Sequence, residues 1–365
     1  MLEKQLTTDE SAQHAPRVWV LLGEGAGGNA QMCALAAALG WPYETRQLRW
    51  NLLNHLPNPL IGARAFTLDS AADPLVPPWP DLVIGASRRS APVARWIKQQ
   101  SGGHTRLVHL LHTQMPLHHF DLVVTLAQFR VPDAPNVLRN TLPLNVVADS
   151  DRAEAAQRWA PRLAHLPRPW TAVLVGGDSS SYELDAQIAS ALAARANDMA
   201  LESGGSLLVT TSKRTSGPAT QALAAGLSAP HYLHCWQAGD NDNPYPAYLA
   251  LADDFLVTGD SASLPAEAVA TGRPVALFEW ARKPSWHRLS GTAGPFIDGF
   301  ASRVHDRLVY AGWRKPSRDF GAFHRVLREA QLVDTDAPAA APDDMATTVA
   351  RIRSLMSGAG RHPNT

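Results

Sequence analysis

The sequence predicts an α/β protein built from two doubly wound, parallel-sheet domains, and three observations predict it. Short apolar runs recur along the chain, and each stops at a Gly/Ser-rich turn that opens a helical pattern. The clearest stretch, FLVTGDSASLPAEAVATGRPVALF (255–278), reads as strand, polar turn, short helix, glycine and strand, which is half of a doubly wound sheet. The chain has 365 residues, enough for two cores, and a proline-flanked stretch over 149–169 separates two series of βα units.

Val18–Leu22 (VWVLL) is a β-like run that feeds Gly23-Glu24-Gly25-Ala26-Gly27-Gly28 and then a helix over 29–39, stopped by Gly40. The glycine spacing is neither GxGxxG nor a Walker A, and no Lys-Ser/Thr follows, so the loop carries no dinucleotide or triphosphate fingerprint. Residues 43–50 predict a second strand, and the proline- and asparagine-rich 51–80 an irregular connection. DLVIGA (81–86) is a buried strand that runs into Ser87-Arg88-Arg89-Ser90 and a helix to about Gln100. Two cations at a helix N-terminus oppose its dipole, so Arg88 and Arg89 either meet an anion or point into water. Strands over 106–111, 121–125 and 136–138 complete a first domain spanning 17–148, the first of them entering His112-Thr113-Gln114. Residues 1–16 form a polar tail, expected to be disordered and lacking a signal-peptide core.

A helix over 152–164 and two prolines make the connection between domains, and the second domain covers 170–335. Its strand over 172–175 enters Gly176-Gly177-Asp178-Ser179-Ser180, followed by a long helix over 182–201. SLLVT (206–210) enters Thr211-Ser212-Lys213-Arg214-Thr215. A helix over 218–227, a strand over 231–236 and a helix over 244–252 lead to the strand 255–258 and its turn Gly259-Asp260-Ser261. The next helix ends at Gly272, and Pro274 opens the strand 275–278. An Ala/Pro linker (337–342), a last helix over 345–356 and a disordered tail make up 336–365.

Lys plus Arg and Asp plus Glu both number 33, so no global charge favours nucleic acid. Two distant cysteines, Cys33 and Cys235, give neither a disulfide framework nor a zinc site and fit a reducing compartment. No apolar run is long enough to span a membrane. Between Arg273 and Arg328 there are eleven basic and four acidic residues, with Trp280, Trp286 and Trp313 among them. That is either a solvated basic face or a contact for an anionic acceptor or a membrane surface.

Three turns of the second domain follow strands and would share the carboxyl-end rim where open parallel sheets bind ligands. Gly176, Gly177 and Ser179 offer backbone N–H groups to an oxyanion, and Thr211, Ser212, Lys213 and Arg214 offer hydroxyls and cations for a diphosphate. Asp260, Ser261 and Ser263 either cap the helix or meet a ligand, and Glu267 either accepts from two vicinal ribose hydroxyls or merely complements the helix dipole. On the first domain, Gly25, Asn29, Arg88, Arg89 and Gln114 would form the acceptor-side wall. Glu24 and His112 are the rim candidates for a general base, ahead of His118 and His119. Asp253-Asp254 closes a helix rather than forming a metal pair, and no GxSxG, HExxH or spaced Cys/His set occurs. Neither a metal nor a tightly bound cofactor is expected.

Five segments together resemble one family: LLGEGAGGNAQ (21–31), PDLVIGASRRSAPVAR (80–95), VLVGGDSSSY (173–182), SLLVTTSKRT (206–215) and NPYPAYLALADDFLVTGDSASLPAEAVATGRPV (243–275). It is the elongated-mitochondria family, named for a plant mitochondrial fission factor and widespread in bacteria. The resemblance implies a divergent GT-B glycosyltransferase architecture, with two Rossmann-like domains facing across a cleft and a C-terminal helix crossing back to the first. It also implies that Glu267 holds a ribose, and that Gly176, Gly177 and Ser212 to Arg214 hold a diphosphate. Many relatives carry charged residues in the first glycine loop where this chain has Ala26 and Gly27, which counts against a catalytic role for that loop.

Two functions of different class follow. One is metal-independent transfer from a nucleotide-sugar to a cell-envelope or lipid-linked acceptor, in the cytoplasm or at the inner membrane, the basic 273–328 region making the membrane contact. The other is a non-catalytic adaptor of the fission-factor type, on a retired transferase fold. The enzyme predicts a basic cleft with Glu267 open to it, and the adaptor a large exposed apolar patch.

Overall fold

Runs of Val, Leu and Ile buried on both faces build two parallel sheets. The computed structural model describes residues 15–144, 149–179, 181–283, 304, 307–314 and 318–358. The expectations for the tail 1–14, Ser180, Trp286, much of the basic 273–328 stretch and the last residues lie outside the described residues. In the first domain β1 (Val18–Leu22), β2 (Tyr43–Gln47), β3 (Leu82–Ala86), β4 (Arg106–Leu110), β5 (Leu122–Leu126) and β6 (Val137–Asn140) pair in the order β2-β1-β3-β4-β5-β6. In the second, β7 (Trp170–Leu174), β8 (Ser206–Thr210), β9 (His231–His234), β10 (Asp254–Thr258) and β11 (Val275–Phe278) pair as β11-β10-β7-β8-β9. All pairings are parallel. The strand order reverses between β1 and β3, and again between β7 and β10, so each sheet has one crevice at its carboxyl edge.

The helices are α1 (Ala26–Leu39), α2 (Asn58–Ile61), α3 (Ser87–Gln100), α4 (Asp149–Leu163), α5 (Ala186–Ser203), α6 (Gly217–Gly226), α7 (Tyr245–Leu251) and α8 (Ser263–Val269). Several differ from the sequence expectation for local reasons. α1 starts at Ala26 rather than 29, and the Asn29 side chain reaches back to the Gly23 N–H and carbonyl at 3.0 and 2.8 Å. β2 stops at Gln47, after which Trp50 turns to bridge Leu68. α5 starts at Ala186 because Asp185 accepts from the Ile188 N–H at 2.8 Å and caps it. Tyr182, four residues earlier, is buried in the core instead of lying on the helix.

The helix expected as a connector, α4, buries Ala155, Trp159 and Leu163 among second-domain side chains such as Tyr248 and Phe255. A helix absent from the sequence reading, Phe320–Glu329, sinks Phe320, Phe323 and Leu327 into the same core. The last helix, Asp344–Met356, does cross back: Val349 and Ile352 join the first-domain core with Leu35 and Leu39. Asp344 accepts from the Thr141 and Leu142 N–H groups at 3.0 and 2.7 Å, and Thr348 accepts from Asn140 at 3.1 Å.

Contacts near Asp319 bring the two rims face to face. Asp319 pairs with Arg130 at 2.7 Å, and its N–H donates to the Gln128 carbonyl at 2.8 Å, just beyond β5. The Arg318 guanidinium stands 5.8 Å from the Phe129 ring, while burial and then the Arg214 charge lower its pKa. Arg318 is solvent-accessible even so. Arg318 thus stands between the two domains, near Phe129 of the first and Arg214 of the second.

Candidate functional site

The three rim turns of the second domain are knitted together by side chains. Thr258 at the end of β10 accepts from the Gly176 N–H at 2.7 Å. Asp260 reaches the turn after β7 and accepts from the Gly177 N–H at 3.1 Å and from Arg214 at 2.6 Å through the same oxygen. Ser212 donates to the Gly176 carbonyl at 2.8 Å, and so does Thr215 at 2.5 Å. Arg214 also donates to the carbonyls of Gly177 and Asp178, at 3.3 and 3.2 Å.

This geometry corrects part of the sequence expectation. The Gly176 and Gly177 amides, expected to face a diphosphate, are both satisfied inside the protein. Arg214 is paired with a carboxylate that is itself fully buried. Ser179 accepts from the Tyr182 N–H at 3.1 Å, and Thr211 accepts from the Trp236 N–H at 2.8 Å. Ser263 opens α8 without a side-chain cap. Asp260 folds inward because its neutral alternative, an empty polar crevice between two strand ends, would leave the Gly177 N–H and the Arg214 guanidinium without an acceptor.

Other groups on the same rim stay available. Lys213 is exposed, and no carboxylate pairs with it or with Arg318 among the described residues. The Ser261 hydroxyl, by contrast, is buried, without a hydrogen-bond partner among the described residues. Glu267, on α8 just past the strand-order reversal, is half-buried, and one of its oxygens accepts from the Tyr245 hydroxyl. Burial raises the Glu267 carboxyl, and the Tyr245 bond opposes that rise. Tyr245 itself is pushed well above its ordinary value, first by burial and then by the Glu267 charge, so it remains a donor. The tyrosine fixes the carboxylate's direction, a role sequence reasoning missed. Its place in NPYPAYLAL, one helix upstream, gives no signal for a contact 22 residues away.

On the facing rim, Glu24 pairs with Arg89 at 2.6 Å at the glycine-loop tip. Arg88 is not aimed at an anion: it donates to the Asn54 carbonyl at 2.8 Å and to the Leu56 carbonyl. Gln114 lends its carbonyl to Asn58 at 3.0 Å, Asn29 locks the glycine loop as described, and Gly25 precedes α1 as its cap. His112 is buried, stacked on Tyr310 with centroids 5.4 Å apart, and its Nδ1 accepts from the Gln114 N–H at 2.9 Å. With that lone pair engaged, the neutral ring carries its proton on Nε2, so His112 cannot act as the base.

Burial holds His112 down to about 4 and, with His112 adding to it, holds His109 down to about 3. Both bind a proton near 6.5 when unfolded, so their contribution is complete above pH 6.5 and is lost as pH falls below it. For His109 alone the loss reaches about 3 kcal/mol at pH 4.5. Denaturation midpoints at pH 7 and 4.5 should therefore fall less in His109→Leu than in the wild type. Equal falls would show that His109 does not carry the pH dependence.

Much of the expected basic face is paired internally. Arg273 donates to the Ala252 carbonyl, Arg282 to the Arg318 carbonyl at 2.7 Å, and Arg328 pairs with Glu279 and Asp334. Glu279 also accepts from His324, buried beneath the Gly259 turn. Among the described residues no His/Cys/Asp/Glu group could hold a metal ion. Nor is any described helix long and apolar enough to cross a membrane.

Two doubly wound parallel domains with facing rims, and a C-terminal helix returned to the first, define the GT-B class. A family model for Mitochondrial fission ELM1 matches residues 26–294, and the chain belongs to that family. The mitochondrial fission protein ELM1 of Arabidopsis thaliana is 28% identical over 218 residues, covering 54% of this chain and 51% of that protein, so the chain spans about half of that relative's length. An uncharacterized protein of Rickettsia prowazekii is 24% identical over 296 residues, 72% of this chain and 82% of its own length. Among solved structures, a UDP-glucosyltransferase from Polygonum tinctorium aligns at TM-score 0.46 and 11% identity, over 94% of this chain and 99% of that one. The glycosyltransferase SnogD from Streptomyces nogalater aligns at TM-score 0.44 and 14% identity, over 93% and 100%. At these scores the likeness says nothing of activity.

Proposed function

We propose that the second-domain rim binds the nucleotide of a nucleotide-sugar, and that the chain transfers the sugar to a cell-envelope or lipid-linked acceptor. The observation that carries this is Glu267: a half-buried carboxylate at the crevice of the sheet, oriented by Tyr245 through one oxygen. Among the described residues nothing donates to its other oxygen, which suits a ribose hydroxyl. The diphosphate contact then falls to Lys213 and Arg318 rather than to the glycine amides. In the transfer, an acceptor hydroxyl gives its proton to Glu24 and its oxygen attacks the anomeric carbon. The bond from that carbon to the diphosphate oxygen breaks, and the two cations meet the charge that leaves with it.

A second reading, a non-catalytic adaptor on this fold, is favoured by the Asp260–Arg214 pair, which closes part of the rim. Calorimetric or thermal-shift titration with UDP, GDP, CMP, ADP and their sugar conjugates separates the two. A nucleotide that stabilises the wild type, with affinity reduced about tenfold or more in Glu267→Ala, supports the transferase. Absence of any nucleotide effect would leave the adaptor.

A further inference from the structure

The loop between β2 and β3 is built inside out. Asn54, Asn58 and Thr67 are buried, while Leu52, Leu53, Leu60 and Phe66 stand in water, Leu52 at 86% exposure. This is not slack chain. Asn51 accepts from the Leu53 N–H at 2.9 Å and donates to the carbonyls of Phe66 and Leu68 at 2.8 and 3.1 Å. The Trp50–Leu68 bridge closes the neck. Asn58 donates to the carbonyls of Arg88 and Gln114, at 3.3 and 3.0 Å, so the loop is fastened to the cleft rim with its leucines outward.

A second piece of chain extends the apolar tip. Gly312 packs so closely on Asn58, Pro59 and the Gln114 carbonyl that a Cβ there would lie within 3.1 Å of all three. Trp313 follows directly and is half-exposed. The flanks are basic. Residues 48–68 hold Arg49, His55 and Arg64, with one acid, Asp69, following at the neck, where its N–H donates to the Arg49 carbonyl at 2.9 Å; 307–314 hold Arg307 and Arg314, with Asp306 before them in sequence. All five basic residues are exposed, and none of these four arginines has an ion-pair partner among the described residues.

We propose that this loop, with Trp313, docks on an anionic lipid bilayer. The leucines, Phe66 and Trp313 enter the boundary between headgroups and acyl chains, and the arginines meet the phosphates. An adaptor would also expose an apolar face, but a rim with more cations than acids around an aliphatic tip fits a surface that is negative throughout and apolar beneath. The site takes Arg307, Trp313 and Arg314 from the 273–328 stretch but is centred on the loop between β2 and β3, and it is independent of nucleotide binding. Docking this way holds the rim at Arg88 and Gln114 against the headgroups; only the further step, that a lipid-linked acceptor enters there, rests on the transferase reading.

The test is co-sedimentation of the full chain with vesicles of phosphatidylcholine alone and of phosphatidylcholine mixed with phosphatidylglycerol. The wild type should bind the mixed vesicles, less so as salt is raised. The triple change Leu52→Ser, Leu53→Ser, Leu60→Ser should lower the bound fraction about tenfold or more, with the melting temperature little changed because each of those side chains is at least half exposed. Arg49→Gln with Arg64→Gln should weaken binding to the mixed vesicles. No binding by the wild type, or equal binding by the leucine variant, would overturn the proposal. An oligomer that dissociates in the leucine variant, without vesicle binding by either, would overturn it too and assign the face to a second copy.

Discussion

Asp260→Ala should lower the unfolding free energy by about 3–5 kcal/mol, the largest loss expected from any single rim residue. The carboxylate is fully buried, and it serves two donors from two other turns, the Gly177 N–H and Arg214. Removing it leaves a guanidinium, itself less than one-third exposed, without its anion, and a buried amide without its acceptor. The effect is one of orphaned partners rather than of the pair's own worth. Adding Arg214→Met to Asp260→Ala should therefore recover part of the loss, since the guanidinium left without its anion is then gone, while the Gly177 N–H stays without its acceptor. Urea or guanidinium denaturation of the three variants measures this. A loss under about 1 kcal/mol for Asp260→Ala would mean that water replaces the carboxylate and that the rim is more open than its geometry indicates.

Gly177→Ala should cost about 3 kcal/mol or more. Gly177 has φ +153, and a Cβ on it would stand 2.2 Å from the Arg214 carbonyl oxygen, which is backbone and cannot rotate away. Gly176 is nearly as confined, by Asp260. The glycine loop of the first domain behaves oppositely. A Cβ on Gly23 would meet nothing within 4 Å, so Gly23→Ala should stay within about 0.5 kcal/mol. The contrast decides what each loop is for. In the second domain the glycines let three turns pack together, while in the first a Cβ on Gly23, Gly25 or Gly27 would meet nothing within 4 Å. Similar costs at Gly177 and Gly23 would remove that distinction.

The alternation of apolar run, glycine turn and helix carries the fold because burial of a parallel strand on both faces leaves a plain trace in sequence. Hence β3 and β8, with every residue buried, are legible to within a residue. The Phe320–Glu329 helix was missed although Phe320, Phe323 and Leu327 recur at helical spacing, because the cations around them suggested a solvated face. At the site, the positions of the rim turns were legible, since a turn after a parallel strand must lie at the carboxyl edge. The partners were not. Whether Asp260 meets a ligand or the Gly177 amide depends on a contact across 83 residues, and nothing local in GDSAS encodes it. His112 failed as a base for a similar reason, since only the backbone turn at Gln114 shows which ring nitrogen carries the proton. The inverted loop was read as irregular from its prolines and asparagines. That those asparagines would be inside and the leucines outside is a tertiary fact.

If Glu267 holds a nucleotide, isothermal titration of the wild type beside Glu267→Gln and Tyr245→Phe reads it out. One nucleoside diphosphate, or its sugar conjugate, should bind the wild type. Glu267→Gln should weaken it by about tenfold or more, since a neutral amide accepts less strongly than a carboxylate, and Tyr245→Phe should weaken it less, because the carboxylate remains but is free to turn. Wild-type affinity retained in Glu267→Gln, or no nucleotide bound by any of the three, would contradict that role for Glu267.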